Sequence, residues 1–195
     1  MTTLQNSARS KKSARARAIV RALKKAYPHP KSELRYRTQF QFAVAVLLSA
    51  QCTDKAVNKT TAVLFKTYAT PADFAKAKPA VFEKEISSIA FFRNKTKAII
   101  TAAQRIVADH KGRVPKTEKE LVALPGIGYK TAHVILGELF DRWEGIPTDT
   151  HVKRFAKRFA LSDENDLEKI SKDLEALIPK KDWKYVNNGL VLYGR

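Results

Sequence analysis

The stretch LPGIGYKTAHVIL, residues 124–136, sets two glycines and a lysine ahead of an apolar helical run. A short helix closes at Leu124, Gly126 and Gly128 bracket Ile127, and Lys130 opens the next helix. Glycine permits positive φ and lets another backbone or a phosphate come close. The amides of residues 126–130 are then the donors that a helix start leaves unpaired, beside the positive end of its dipole. Such a turn binds phosphate without side-chain charge. The same spacing also serves a plain helix–turn–helix connection, in which the glycines only let two helices cross. Taken on residue types alone, Lys130 reads as a phosphate contact. Further on, GIPTDTHVKRF (145–155) sets Asp149 where an N-cap belongs. His151 and Arg154 follow within reach of phosphate, His151 reading better as a packed polar residue.

The elements that must position these residues are helical nearly everywhere, with no convincing alternation of β-branched residues. Segment 38–50 is apolar almost all round and should be a buried central helix. Asp54 reads as the N-cap of a helix to about Tyr68. Pro71 and Pro79 suit the first positions of two short helices, because proline lacks the N–H that a helix start leaves unpaired. Asn94–Lys111 reads as a long helix with Ile99, Ile100, Ala103, Ile106 and Val107 inward, ended by Gly112 and Pro115. Thr117 and Glu120 make a capping box. Near the N-terminus, Ala14, Ala18, Ala22 and Ala26, flanked by Ile19, Leu23 and Tyr27, form one apolar stripe. After residue 145 come a helix with Val152, Phe155, Ala156 and Phe159 inward, one with Leu167, Ile170, Leu174 and Leu177, and one with Trp183, Val186, Leu190 and Tyr193. The fold class is all-α, with about ten mostly short helices.

The 195 residues carry 37 Lys plus Arg against 19 Asp plus Glu, a net charge of +18. With 44% apolar residues this is a folded chain and not a basic disordered tail. A polyanion is the first candidate partner. Residues 1–37 hold eleven basic residues and one acidic. The basic face of the first helix (Arg15, Arg17, Arg21, Lys24, Lys25) reads either as a phosphate track or as a solvated face. The single cysteine, Cys52, excludes an internal disulfide, a structural zinc site and an iron–sulfur cluster. It also fits a compartment where thiols stay reduced. The longest apolar run, residues 42–50, is far short of the ~20 residues that span a bilayer.

These stretches together resemble the helix–hairpin–helix DNA glycosylase superfamily, and within it the endonuclease III family. The resemblance covers nearly the whole chain. It rests on YPHPKSEL (27–34), VAVLLSAQCTD (44–54), VNKTTAVLF (57–65), RNKTKAII (93–100), LPGIGYKTAHV (124–134), PTDTHVKRF (147–155) and LVLYGR (190–195), in that order. It implies two lobes with a DNA cleft between them: a six-helix lobe over 33–143, and a second lobe from 1–32 with 144–195. DNA would be bent, with the damaged nucleotide turned out of the stack.

The resemblance also implies roles. Lys130 matches the family's nucleophile, which attacks the sugar C1′, expels the base and forms a Schiff base. The now acidic 2′ proton then leaves in a β-elimination that cuts the strand. An ordinary lysine is almost wholly protonated at neutral pH, and a helix N-terminus favours the neutral amine that attack requires. Asp149 matches the second catalytic residue. A carboxylate stabilises an ammonium, so Asp149 fits proton transfer and transition-state electrostatics after substrate binds. Gln51 would fill the gap left by the flipped nucleotide, and Phe91 takes the wedge position, where an aromatic ring can stack between base pairs. Gly126, Gly128, Thr131 and Arg154 would contact DNA.

One departure stands out: most members hold a [4Fe–4S] cluster on four cysteines beyond the equivalent of YGR (193–195), and this sequence supplies none there. The alternatives are a natural member without the cluster and a truncated chain; the expectation is the first, with no cofactor and no metal, acting as a monomer on double-stranded DNA that contains damaged or abasic sites. It has no membrane partner and is cytoplasmic, near the nucleoid in a bacterium. The expected activity is that of a bifunctional glycosylase/AP lyase for oxidised pyrimidines. A monofunctional glycosylase for mismatched or alkylated bases is the alternative that Lys130 argues against. A non-catalytic DNA-binding module is the one that Asp149 argues against.

Overall fold

The computed structural model of the protein describes residues 3–193. Among them the secondary structure is helical: eleven α-helices and one 3₁₀ turn. None of these helices is long and apolar enough to cross a membrane. The chain divides into two compact units, one running Glu33–Phe140, the other taking in the described residues up to Ser32 and those from Asp141 onward.

In the Glu33–Phe140 unit the centre is α2 (Gln39–Ser49), buried at every position from Phe40 to Leu48. An apolar surface on all sides requires neighbours on all sides. They are α3 (Asp54–Thr67), α6 (Phe92–His110) and α8 (Tyr129–Phe140). Thr38 caps α2, accepting the Gln41 N–H. The cap of α3 is Thr53, which accepts the Ala56 N–H, so Asp54 is the first helical residue rather than the cap. Pro71 and Pro79 open α4 (Pro71–Ala75) and α5 (Pro79–Glu85). Helix α6 begins two residues earlier than the periodicity suggests and closes through Lys111 and Gly112, both left-handed. Ile99, Ile100, Ala103 and Ile106 are buried as expected, but Val107 is 40% exposed. Helix α7 (Glu118–Val122) starts at Thr117, which accepts the Glu120 N–H and donates its hydroxyl to the Glu120 carboxylate.

The other unit is built from α1 (Thr3–Ala26), α9 (Thr150–Arg158), α10 (Leu167–Leu177), a 3₁₀ turn (Lys180–Asp182) and α11 (Trp183–Tyr193). Its core joins Ala16, Val20 and Leu23 of α1 to Val152, Phe155, Ile170, Leu174, Val186 and Leu190. The α1 stripe therefore lies on a different face from the alanine series, for Ala14, Ala18, Ala22 and Ala26 are exposed. A four-residue repeat drifts around a 3.6-residue helix and cannot stay on one face. Leu167 is likewise 41% exposed, although Ile170 and Leu174 are buried. The basic face of α1 is partly committed within this unit. Arg15 donates to the Phe159 and Ala160 carbonyls at the end of α9, Lys24 pairs with Asp182 at 2.5 Å, and Lys12 pairs with Asp163 at 2.9 Å. Arg17, Arg21 and Lys25 remain exposed.

Candidate active site and nucleic-acid interface

The turn between α7 and α8 is tight because the Ile127 N–H donates back to the Leu124 carbonyl and the Ile127 side chain is buried. That N–H is spent inside the turn and leaves the set of five donors expected at residues 126–130. The two glycines differ. Gly126 has φ +79°, and a Cβ there would meet Ala98 Cβ at 2.8 Å and Leu47 Cδ2 at 3.3 Å. Gly128 has ordinary backbone geometry, and a Cβ there would meet nothing within 4 Å. Gly126 thus allows the turn to seat on α2 and α6, while Gly128 keeps the outer surface clear at the start of α8. Its carbonyl accepts the Ala132 N–H, which begins the helical ladder. Buried His133 lies 2.6 Å from the Glu118 carboxylate, fastening α8 to α7, and its ring meets that of Tyr129 at a tilt of 39°.

Valine substitutions should separate these roles. Gly126→Val strains a left-handed residue and pushes into two neighbours, so the melting temperature should fall. Gly128→Val should melt like the parent but lose about tenfold or more in duplex DNA affinity, because the branched side chain covers the amides. A Gly128→Val protein that binds as tightly as the parent would remove the turn from the interface.

Lys130 is the second residue of α8 and is exposed; Thr131 beside it is half-buried. Its electrostatic neighbour in the same unit is Asp54, at the start of α3. Burial pushes the Asp54 carboxyl above the ordinary aspartate range, and the Lys130 ammonium opposes that rise. The sequence reading gave Asp54 a capping role alone. Its place in the sequence, three residues after Gln51 and shortly beyond the end of α2, the helix that α8 contacts, is the signal that could have set it near Lys130.

Gln51 and Phe91 also lie in the Glu33–Phe140 unit. Both are exposed, and both are non-glycine residues held left-handed, at φ 56° and φ 57°. Phe91 is 60% exposed and serves as the N-cap residue of α6 without a side-chain cap bond. An exposed aromatic ring on a left-handed backbone is costly twice over, and such strain gathers at functional positions.

Asp149 and Arg154 belong to the other unit. Asp149 is half-buried and caps α9, with Oδ1 accepting the Val152 N–H at 2.9 Å. The loop before it is pinned: Ile146 is buried, its N–H donates to Glu175 at 3.1 Å, and its carbonyl accepts from the Thr148 hydroxyl at 3.0 Å. Arg154 is exposed and its guanidinium donates to His151 Nδ1 at 3.0 Å, which leaves the neutral His151 proton on Nε2.

A four-thiolate cluster does not fit these residues. Cys52 is the one cysteine of the 195 residues, and its sulfur accepts the Ala90 N–H at 3.3 Å. Among the described residues no group of three or more His, Cys, Asp or Glu is placed to hold a metal ion.

Residues 44–180 match the HhH-GPD superfamily of base excision DNA repair proteins. The chain is 42% identical to endonuclease III of Synechocystis over all 195 residues, which span 89% of that protein. It is 39% identical to endonuclease III of Bacillus subtilis, over 87% of this chain and 77% of the relative. A trapped endonuclease III–DNA covalent intermediate superposes with a TM-score of 0.88 at 34% identity, covering 93% of this chain and 85% of that one. A helical architecture with an α7–turn–α8 hairpin, and relatives matched over most of both chains, place this protein in the endonuclease III family of the HhH-GPD base excision repair superfamily.

Proposed function

We propose that the protein is a bifunctional DNA glycosylase/AP lyase that removes oxidised pyrimidines from duplex DNA. The observation that carries the reading is Lys130, exposed in the first turn of α8 directly after a glycine turn open on its outer side. The amine of Lys130 attacks C1′ of the damaged nucleotide; the C1′–N bond breaks, and the base departs with the bonding pair and takes up a proton. Opening of the sugar ring gives a Schiff base. Loss of the 2′ proton then expels the 3′ phosphate, so the strand is cut on that side. Asp149, its direction fixed by the cap on α9, stabilises positive charge developing on the sugar and carries protons. Gln51 and Phe91 enter the duplex where the nucleotide has left, and Gly126, Gly128, Thr131 and Arg154 hold the phosphates. A covalent DNA intermediate is known for a relative with 34% identity, which supports the lysine route. With one cysteine in the chain, no step is assigned to an iron–sulfur cluster.

A gel assay on duplexes carrying a panel of base lesions tests this. The expected result is a nicked product from oxidised pyrimidines and none from intact DNA. An intact abasic product would mean water-driven base release, and a shifted band without product would mean a binding protein.

A further inference from the structure

Gln51 and Phe91 come from different helix junctions, α2–α3 and α5–α6, yet one side chain ties the two. Lys95, in the first turn of α6, is only 8% exposed, and its ammonium ends inside the unit. Nζ donates to the Leu48 carbonyl at 2.9 Å and to the Ala50 carbonyl at 2.7 Å, and lies 3.8 Å from Cys52 Sγ. Leu48 and Ala50 are at the C-terminal end of α2, where carbonyls lack helical partners and the dipole is negative. The backbone N–H of Lys95 donates to the Phe91 carbonyl at 3.1 Å. A second link runs beside it, from the Ala90 N–H to Cys52 Sγ at 3.3 Å. Ala50 and Cys52, which flank Gln51, are therefore bonded to Lys95, one helical turn after Phe91, and to Ala90, just before it.

We infer that Lys95 and Cys52 form a latch that fixes the spacing and direction of Gln51 and Phe91, and so act as positioning residues for opening the duplex. Neither touches substrate. The latch has two tasks. It satisfies two carbonyls at the end of α2, where the helix itself supplies no donor, and the one at Leu48 is buried. It also holds two left-handed non-glycine residues in a conformation that each would abandon if the junction were free. A lysine suits the place because its tetrahedral ammonium carries three donors for two carbonyls and a sulfur. The inference rests on the reading that Gln51 and Phe91 enter the duplex.

The test compares cutting at an abasic site in duplex DNA with cutting at the same site in single-stranded DNA, taken as a ratio. The duplex has a partner base to be held off, and the single strand has none. Lys95→Met keeps most of the stem and removes the donors; it should lower the ratio about tenfold or more. A 2-aminopurine placed opposite the site should lose the fluorescence rise that it shows with the parent protein. Gln51→Ala and Phe91→Ala should lower the same ratio, and Lys95→Met added to that pair should lower it no further. Cys52→Ala should lower the ratio several-fold, and Cys52→Ser, whose hydroxyl still accepts the Ala90 N–H, should restore it. This pair decides the matter if Lys95→Met does not fold. An unchanged ratio in Lys95→Met and Cys52→Ala, with Gln51→Ala and Phe91→Ala depressed, would overturn the latch, as would a further drop on adding Lys95→Met to the pair. An unchanged ratio in Gln51→Ala and Phe91→Ala would overturn the duplex-entry reading, and the latch with it.

Discussion

Lys130→Ala should abolish borohydride trapping of the protein on abasic and oxidised duplex DNA while the variant still folds and binds. Borohydride reduces the Schiff base to a stable amine, so the covalent product reports the nucleophile directly. Loss of a covalent nucleophile in an enzyme costs on the order of a thousandfold or more in turnover. The fold should hold, because Lys130 is exposed, and surface substitutions usually change stability little. Lys130→Gln is the gentler control, since it keeps a polar side chain at the helix start while replacing the nucleophilic amine by a non-nucleophilic amide. Trapping that survives both changes would move the chemistry to another amine. Asp149→Asn belongs in the same series. The asparagine oxygen can still accept the Val152 N–H, so the cap on α9 persists while the charge goes. Slower base release with near-parental binding is expected. Unchanged turnover would leave Asp149 a cap and nothing more.

Elements whose signals are local were legible in the sequence. The Asp149 cap, the proline starts of α4 and α5, the fully buried α2 and the glycine turn before α8 each depend on a few adjacent residues. What stayed hidden depends on neighbours far along the chain. Lys95 is not among the inward positions that the periodicity of Asn94–Lys111 marks; it is buried because the end of α2 presents it with two carbonyls more than forty residues away in sequence. The basic face of α1 reads either as a phosphate track or as a solvated face, yet its Arg15 donates to the Phe159 and Ala160 carbonyls, 144 and 145 residues away. The left-handed backbone at Gln51 and Phe91 carries no local mark, because neither is glycine or asparagine. Of the proposed catalytic residues, Lys130 and Asp149 were legible as motif members. The Asp54 carboxyl beside Lys130 was masked by an ordinary helix-start reading.

Removal of residues 183–195 should unfold the unit that holds Asp149 and abolish cutting at lesions. The reason lies in what α11 covers. Val186 and Leu190 are buried in one core with Ala16, Val20 and Leu23 of α1 and Val152 and Phe155 of α9. Trp183 packs against the same core and donates its indole N–H to the Ile178 carbonyl at 2.8 Å. Tyr193 meets the Phe155 ring edge-on, with centroids 5.0 Å apart. Gly189 lets the helix lie close on α1, for a Cβ there would already touch Leu23 at 3.4 Å. Each large side chain taken out of water contributes about 1.5–3 kcal/mol. Losing Val186 and Leu190, and uncovering their partners on α1 and α9, exceeds what a domain stable by about 5–15 kcal/mol can readily absorb. Among the described residues it is this apolar packing that joins α1, α9 and α11. Leu190→Ala is the milder form and should cost about 2–5 kcal/mol, read as a lower melting temperature with cutting retained at low temperature. The truncated chain should lose the helical signal of this unit on circular dichroism and give no nicked product. A truncated protein that melts in one cooperative step with full helical signal, and still nicks damaged DNA, would show that α11 does not hold α9 and its capping aspartate in place.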